Sequence, residues 1–222
     1  MTLSTCLVDL HGTLVYLKNP IDYLAISDHL LKNGYEVYPQ ELEAALNFVK
    51  IIDYPRLDLK DWTSYLRKAL WRLNVIIDDE TLNDIVEKIK PEFELYDDAA
   101  EFLKKIKDAE FKIGVVTTIA EFRFTDTISP VKEFIDGVFT GSSCKCDKSN
   151  PKLYLHALKE LGSKPEQAVI IGDEPLVDIY IPHRLGLKTV LLNRNGDLPE
   201  IREADGIVRD LREGAELIIK IR

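Results

Sequence analysis

From Tyr96 to the C-terminus, short apolar runs alternate with segments of helical periodicity, and this alternation constrains the chain most. Ala99 to Lys107, Leu153 to Leu161 and Val177 to Leu185 read as helices. Ile113 to Thr117, Val138 to Thr140, Ala168 to Gly172 and Lys188 to Leu192 read as strands. Val131 to Ile135 also reads as helical, residues near Ile207 as one more strand, and Leu211 to Ile219 as a closing helix. The runs are apolar almost throughout, as strands covered on both faces must be. Such alternation specifies βαβ units around a parallel sheet with helices on both sides.

One more strand stands far upstream. Thr5 to Leu10 is apolar apart from its carboxylate, Asp9, and is followed by Gly12. Between it and the alternating part, from about Asn19 to Lys90, the periodicity is helical with no strand signal. Four helices are expected there: one from Ile21 to the Asn33-Gly34 stop, then Gln40 to Ile52, Asp61 to Leu73, and Asp78 to Ile89 ahead of Pro91. The expected division is therefore a Rossmann-like α/β core from residues 1–14 and 94–222, with an all-helical cap, residues 15–93, inserted after the first strand.

In open parallel sheets the ligand lies beyond the carboxyl ends of the strands. Asp9, His11, Thr117, Thr118 and Asp173 all stand there. Each also has a purely local explanation. A strand-end Asp often caps the next helix, a Thr is an ordinary strand residue, and loop lysines are usually solvated.

The 222 residues carry a formal net charge of −9. That repels nucleic acid and anionic lipid at long range, so neither is an expected partner. A phosphorylated small molecule remains compatible, because one local cation can dominate a small site. No secretory leader is read at the start and no apolar run reaches membrane-spanning length, so a cytoplasmic protein is expected. Cys6, Cys144 and Cys146 are an odd set, from which no disulfide framework is expected.

Four short segments recur in a telling order. They are Asp9-Leu10-His11-Gly12-Thr13, Val115-Val116-Thr117-Thr118, Lys148 ahead of Pro151 and Tyr154, and Gly172-Asp173 with Asp178 five residues on. In order and spacing they resemble the motifs of the haloacid dehalogenase superfamily, and the resemblance spans nearly the whole chain. It implies a hydrolase using Asp9 as nucleophile, with Mg²⁺ held by Asp9, Asp173 and the backbone carbonyl of His11. Lys148 is preferred over Lys145 and Lys152 as the cation against Asp9 and the substrate oxygens. Thr117, with Thr118 beside it, would bind the phosphoryl group, and Asp178 would orient Lys148 or a metal-bound water.

The resemblance also leaves alternatives. Phosphatases of the family usually carry a second Asp where this chain has His11, which would have to serve as acid and base. Dehalogenases lack that Asp too, but work without metal, lack the paired carboxylates of the last motif and use an arginine early in the cap. A phosphonate-cleaving branch uses a cap lysine, for which Lys18 or Lys50 are candidates. A non-catalytic phosphate- or partner-binding member is a further reading. Tyr16, Lys18, Tyr23, Tyr54 and Arg56 are the cap residues expected to shape the pocket.

Overall fold

The computed structural model describes residues 2–57, 59–89 and 92–222. The first strand, β1 (Thr5–Asp9), is wholly buried. After it the chain forms β2 (Val15–Asn19) and then α1 (Tyr23–Lys32), α2 (Pro39–Phe48), a π-helical turn over Val49–Asp53, α3 (Tyr54–Leu57), α4 (Trp62–Arg72) and α5 (Asp79–Ile89). It returns through β3 (Glu92–Leu95), α6 (Ala99–Asp108), β4 (Lys112–Thr117) and a 3₁₀ turn over Glu121–Arg123. Next come α7 (Thr125–Ile128), a second 3₁₀ turn over Ser129–Phe134, β5 (Gly137–Thr140), α8 (Gly141–Cys144), α9 (Lys152–Glu160) and β6 (Ala168–Gly172). A second π-helical turn, Pro175–Tyr180, leads into α10 (Ile181–Leu185), β7 (Lys188–Leu192), β8 (Gly206–Val208) and α11 (Leu211–Lys220).

The main sheet has six strands in the order β5-β4-β1-β6-β7-β8, and every pairing is parallel. This is the Rossmann-like α/β core. Strand β1 sits centrally because Cys6, Leu7 and Val8 are apolar on both faces and no edge position would cover them. Two apolar clusters flank the sheet. One gathers Val8, Val115 and Ile171 with Phe102 of α6 and Ile218 of α11. The other gathers Leu7, Val116 and Ile170 with Leu153 and Leu158 of α9.

The strand order fixes where a site can form. From β1 the chain moves to β4 on one side; from β6 it moves to β7 on the other. The connections diverge between these neighbours and leave a crevice at their carboxyl ends. Asp9 ends β1 and Asp173 follows β6 directly, so both carboxylates stand at that crevice.

The inserted segment departs from an all-helical description. Strands β2 and β3 pair antiparallel, with Val15 opposite Leu95 and Leu17 opposite Phe93. The strands are short and carry charged residues, so they show no clear period-2 signal. Pairing satisfies their backbone where the chain leaves and re-enters the core. Val15 belongs to the core's apolar cluster, with Phe93 and Leu95 packed against it. The helices above keep a separate cluster that includes Ile26, Leu42, Leu66, Leu70 and Ile85. Two expected helices also change character. Gln40 to Ile52 becomes α2 followed by a π-helical turn, and Val177 to Leu185 begins within another.

The cysteines differ from expectation as well. Cys144 and Cys146 are joined by a disulfide, with Cα atoms 5.5 Å apart. Lys145 between them takes a left-handed conformation, φ 56°, which turns the chain back at the end of α8 and brings the cysteines together. Cys6 is free and buried in β1. Among the described residues, no helix is long and apolar enough to cross a membrane.

Candidate active site

Lys148 is the hub of the crevice. It lies in the loop between α8 and α9, yet it is only 4% exposed. Its ammonium donates to Asp9 Oδ1 at 2.5 Å and to Asp178 Oδ1 at 2.6 Å. Tyr154 of α9 holds the loop, its hydroxyl donating to the Lys148 carbonyl at 3.0 Å. Lysines rarely reach such depth without partners. Here burial opposes the charge, and the carboxylates of Asp178 and Asp9 more than restore it, so the ammonium is held above its ordinary range.

Asp178 is fully buried in the π-helical turn after β6. Its second oxygen accepts from the Glu174 amide at 3.1 Å. Both oxygens are thus engaged, one fixing Lys148 and the other fixing its own loop. Gly172 makes the space: a Cβ there would come within 2.3 Å of the Asp178 carboxyl carbon.

Asp9 uses only half of its carboxylate. Oδ2 is buried and has no hydrogen-bond partner among the described residues. Asp173 stands beside it, with oxygens of Asp9, Asp173 and Asp178 all within 4.8 Å of one another. Burial, reinforced by the neighbouring Asp9 charge, pushes the Asp173 carboxyl up to about 6. Thr13 approaches Asp173 Oδ1 at 3.4 Å. Gly12, with φ +87°, lets the chain pass directly over Asp173, since a Cβ would lie 2.1 Å from its Oδ2. This donor set fits a hard divalent cation. Three carboxylates face one lysine, and one buried oxygen is left bare.

The other expected residues fall around the same crevice. Thr117 is buried at the end of β4 and its hydroxyl accepts from the Ile119 amide at 3.1 Å. Thr117, Thr118, Asp9, His11, Lys148 and Asp173 line one cavity of about 610 Å³. His11 is partly exposed and its ring packs edge-on to Phe93, 5.8 Å between centroids. Partial desolvation lowers the imidazole below its ordinary value; Asp9 opposes this, while Lys50 and Arg123 add to it.

The cap candidates separate. Tyr23 lines a second cavity that adjoins the first through His11, Lys50 and Ile119. Tyr16 donates to Glu94 at 2.7 Å and Lys18 pairs with the same carboxylate at 3.1 Å. Tyr54 is buried beside a different cavity, and Arg56 donates to the Ile52 carbonyl. Lys50 reaches both adjoining cavities instead, and Arg123 the second. Lys50 stood among several cap lysines in the sequence, and nothing marked it as desolvated. Burial now lowers its ammonium, with Arg123 pushing the same way. Arg123 follows a strand end by six residues, and no sequence pattern singles it out.

A family model described as a haloacid dehalogenase-like hydrolase matches residues 3–181. Among curated relatives, a glyceraldehyde 3-phosphate phosphatase of Methanopyrus kandleri is 30% identical over 52% of this chain and 57% of that enzyme. The match therefore spans little more than half of that relative's length. An (S)-2-haloacid dehalogenase 4A of Burkholderia cepacia is 21% identical over 90% of this chain and 87% of its own. Among solved structures, a phosphatase of Thermococcus onnurineus superposes with a TM-score of 0.70 at 23% identity, covering 97% of this chain and 98% of the other. At that identity the likeness is one of fold.

Proposed function

Because the chain belongs to the haloacid dehalogenase-like hydrolases, we propose that it is a cytoplasmic phosphatase of a small phosphorylated metabolite, with Asp9 as nucleophile. The observation that carries this reading is the Asp173 carboxylate set beside the bare oxygen of Asp9. One oxygen of Asp9 is neutralised by Lys148 and the other stays bare beside Asp173. A metal-free dehalogenase has no use for that crowd of carboxylates, whereas a magnesium-dependent phosphatase needs them.

Asp9, Asp173 and the His11 carbonyl would hold Mg²⁺. When bound, it supplies the positive charge that lets a carboxylate approach a phosphate dianion. The residues then divide the work. Asp9 attacks phosphorus as the ester P–O bond breaks, and the departing oxygen takes a proton from the His11 side chain. Water, giving its proton to His11, next attacks phosphorus; the bond to Asp9 breaks, and inorganic phosphate leaves. Lys148 balances charge on the phosphoryl oxygens, and the Thr117 hydroxyl turns toward one of them. Asp178 positions Lys148 and touches no substrate. The test is phosphate release from a panel of phosphorylated metabolites with and without Mg²⁺, in wild type and Asp9→Asn. Mg²⁺-dependent release that vanishes in the variant supports the reading. Metal-independent chloride release from a 2-haloacid, with the phosphate panel silent, overturns it.

Lys50 favours one second reading, the cleavage of a phosphonate bearing an aldehyde. A desolvated amine facing the Asp9 cavity is suited to forming an imine with that carbonyl. Borohydride would then trap substrate on Lys50, and an untouched Lys50 excludes this reading.

A further inference from the structure

The second cavity holds about 300 Å³ and opens from the candidate active site past His11, Lys50 and Ile119. Arg123, which lines this cavity and not the first, is a cation among aromatic rings. The Arg123 guanidinium lies 4.9 Å from the Trp62 ring centre, 5.6 Å from Phe93 and 6.0 Å from Tyr65. Rings stabilise a cation through their faces but accept no strong hydrogen bond in the ring plane. Among the described residues, the guanidinium's polar neighbours there are the hydroxyls of Tyr65 and Tyr23. Its Nε is buried with no hydrogen-bond partner among the described residues. Lys50, on the wall shared with the active site, is likewise without an ion-pair partner among the described residues. Among the described residues, the one acid on this cavity's wall, Glu43, is solvent-exposed and pairs with neither cation.

This arrangement is costly for the protein alone. An arginine stays charged under all ordinary conditions, and a desolvated charge with unused donors is destabilising until an anion meets it. The fold also goes to some length to place it. The 3₁₀ turn carrying Arg123 is clamped from both sides. Phe124 is buried in the core cluster, and Ala120 and Phe122 belong with the helical cluster above. Phe122 meets Trp62 and Tyr65 edge-on at 5.5 and 6.1 Å. The net charge of −9 makes two unpaired, half-buried cations on one cavity a local exception.

We propose that Arg123, assisted by Lys50, forms an anion subsite that selects substrates carrying a second negative group at the end away from the scissile phosphate. This rests on the phosphatase reading and narrows its substrate class to phosphate esters with a distal carboxylate or a distal phosphate. Arg123 is a binding and specificity residue; it takes no part in breaking the ester bond. A guanidinium fork receives either anion through paired donors, so the shared chemistry is a small oxyanion. The aromatic walls would cover the carbon chain between the two anionic ends.

The test uses three alkyl monophosphates of equal chain length, ending in a methyl, a carboxylate or a second phosphate. Wild type should favour the anionic ends by roughly 10- to 100-fold in kcat/KM, the range of a charge-assisted hydrogen bond. Arg123→Met should erase the preference, bringing the three esters to within about twofold of one another. Arg123→Lys should recover part of it. The ester that wild type favours most identifies carboxylate or phosphate as the natural end. Equal rates on all three esters in wild type, or an equal loss on all three in Arg123→Met, overturns the proposal. An independent readout avoids turnover altogether. Trp62 reports on the cage, so its fluorescence should saturate with malonate in a Trp71→Phe background and stay flat once Arg123→Met is added. A flat wild-type titration overturns the subsite even if the enzyme is a phosphatase. A saturating titration with no ester hydrolysed leaves the subsite standing and removes the phosphatase reading.

Discussion

Replacing Lys148 by Met keeps most of its stem and deletes its charge, leaving Asp9 and Asp178 facing each other without a counter-ion. The size of the effect follows from the contacts. At 2.5 and 2.6 Å, with an effective dielectric constant near 20, each attraction is worth roughly 6 kcal/mol before desolvation. Desolvation of the lysine opposes this, and breaking buried pairs costs about 3–5 kcal/mol net. That range is the expected loss for Lys148→Met at pH 8 without divalent metal. The pH dependence has a definite sign. Burial and the Asp9 charge raise the folded-state value of Asp178, and Lys148, which works against both, is gone in the variant. A carboxyl raised above its unfolded value of about 3.9 binds its proton more tightly when folded. The penalty is therefore full at high pH and shrinks as pH falls toward the unfolded value. Urea denaturation in EDTA at pH 8 and pH 5 measures it. A loss under about 1 kcal/mol at pH 8, or a larger loss at pH 5, refutes the reasoning.

Further expectations can be checked on the same protein. His11→Ala should slow an alkyl phosphate by roughly 10²–10⁴-fold and an aryl phosphate much less, since an aryl oxide leaves without a proton; kcat/KM on the two substrates decides, and equal effects remove the acid–base role. Gly172→Ala drives a methyl group into an Asp178 carboxylate that cannot move aside, because both its oxygens are bonded. It should cost about 1–3 kcal/mol in stability and, by displacing Lys148, on the order of 10²-fold in rate; unchanged kinetics would show that Lys148 does not depend on Asp178. Asp78 caps α5 and is held down to about 2 by the Thr81 amide and hydroxyl, with the Tyr35 hydroxyl helping. Its contribution is present above the unfolded value and lost as pH falls from about 4 to 2, so the stability gap between wild type and Asp78→Ala should be open at pH 6 and closed near pH 2.

The core was legible in the sequence because both-face burial writes itself as continuous apolar runs. Thr5 to Asp9 and Ala168 to Gly172 could scarcely be anything but central strands. The polar residues at their ends then stood out against that background, which is why Asp9 and Asp173 were findable. Lys148 was harder, since a loop lysine is normally solvated and only the partners of its ammonium reveal its depth. The β2–β3 ribbon escaped because its strands are short and depend on each other across more than seventy residues. The π-helical turn at Val49–Asp53 escaped because an extra residue per turn leaves no compositional mark. That turn carries Lys50 to the cavity, while the 3₁₀ turn after β4 carries Arg123. Both arrive by tertiary packing, as does the aromatic cage, whose members come from α4 and β3. The Cys144–Cys146 link is not legible because nothing in the composition shows that Lys145, between the two cysteines, takes the left-handed conformation seen there.

The central claim, attack on phosphorus by Asp9, is tested most directly by trapping. An alkyl phosphate hydrolysed by the Mg²⁺-loaded protein is quenched in acid within the first turnover, reduced with borohydride, and digested for peptide mass analysis. Asp9, and no other acidic residue, should be converted to homoserine; conversion should require both Mg²⁺ and substrate, and Asp9→Asn should show none. Steady phosphate release with Asp9 left unmodified, or conversion at another carboxylate, would contradict the claim.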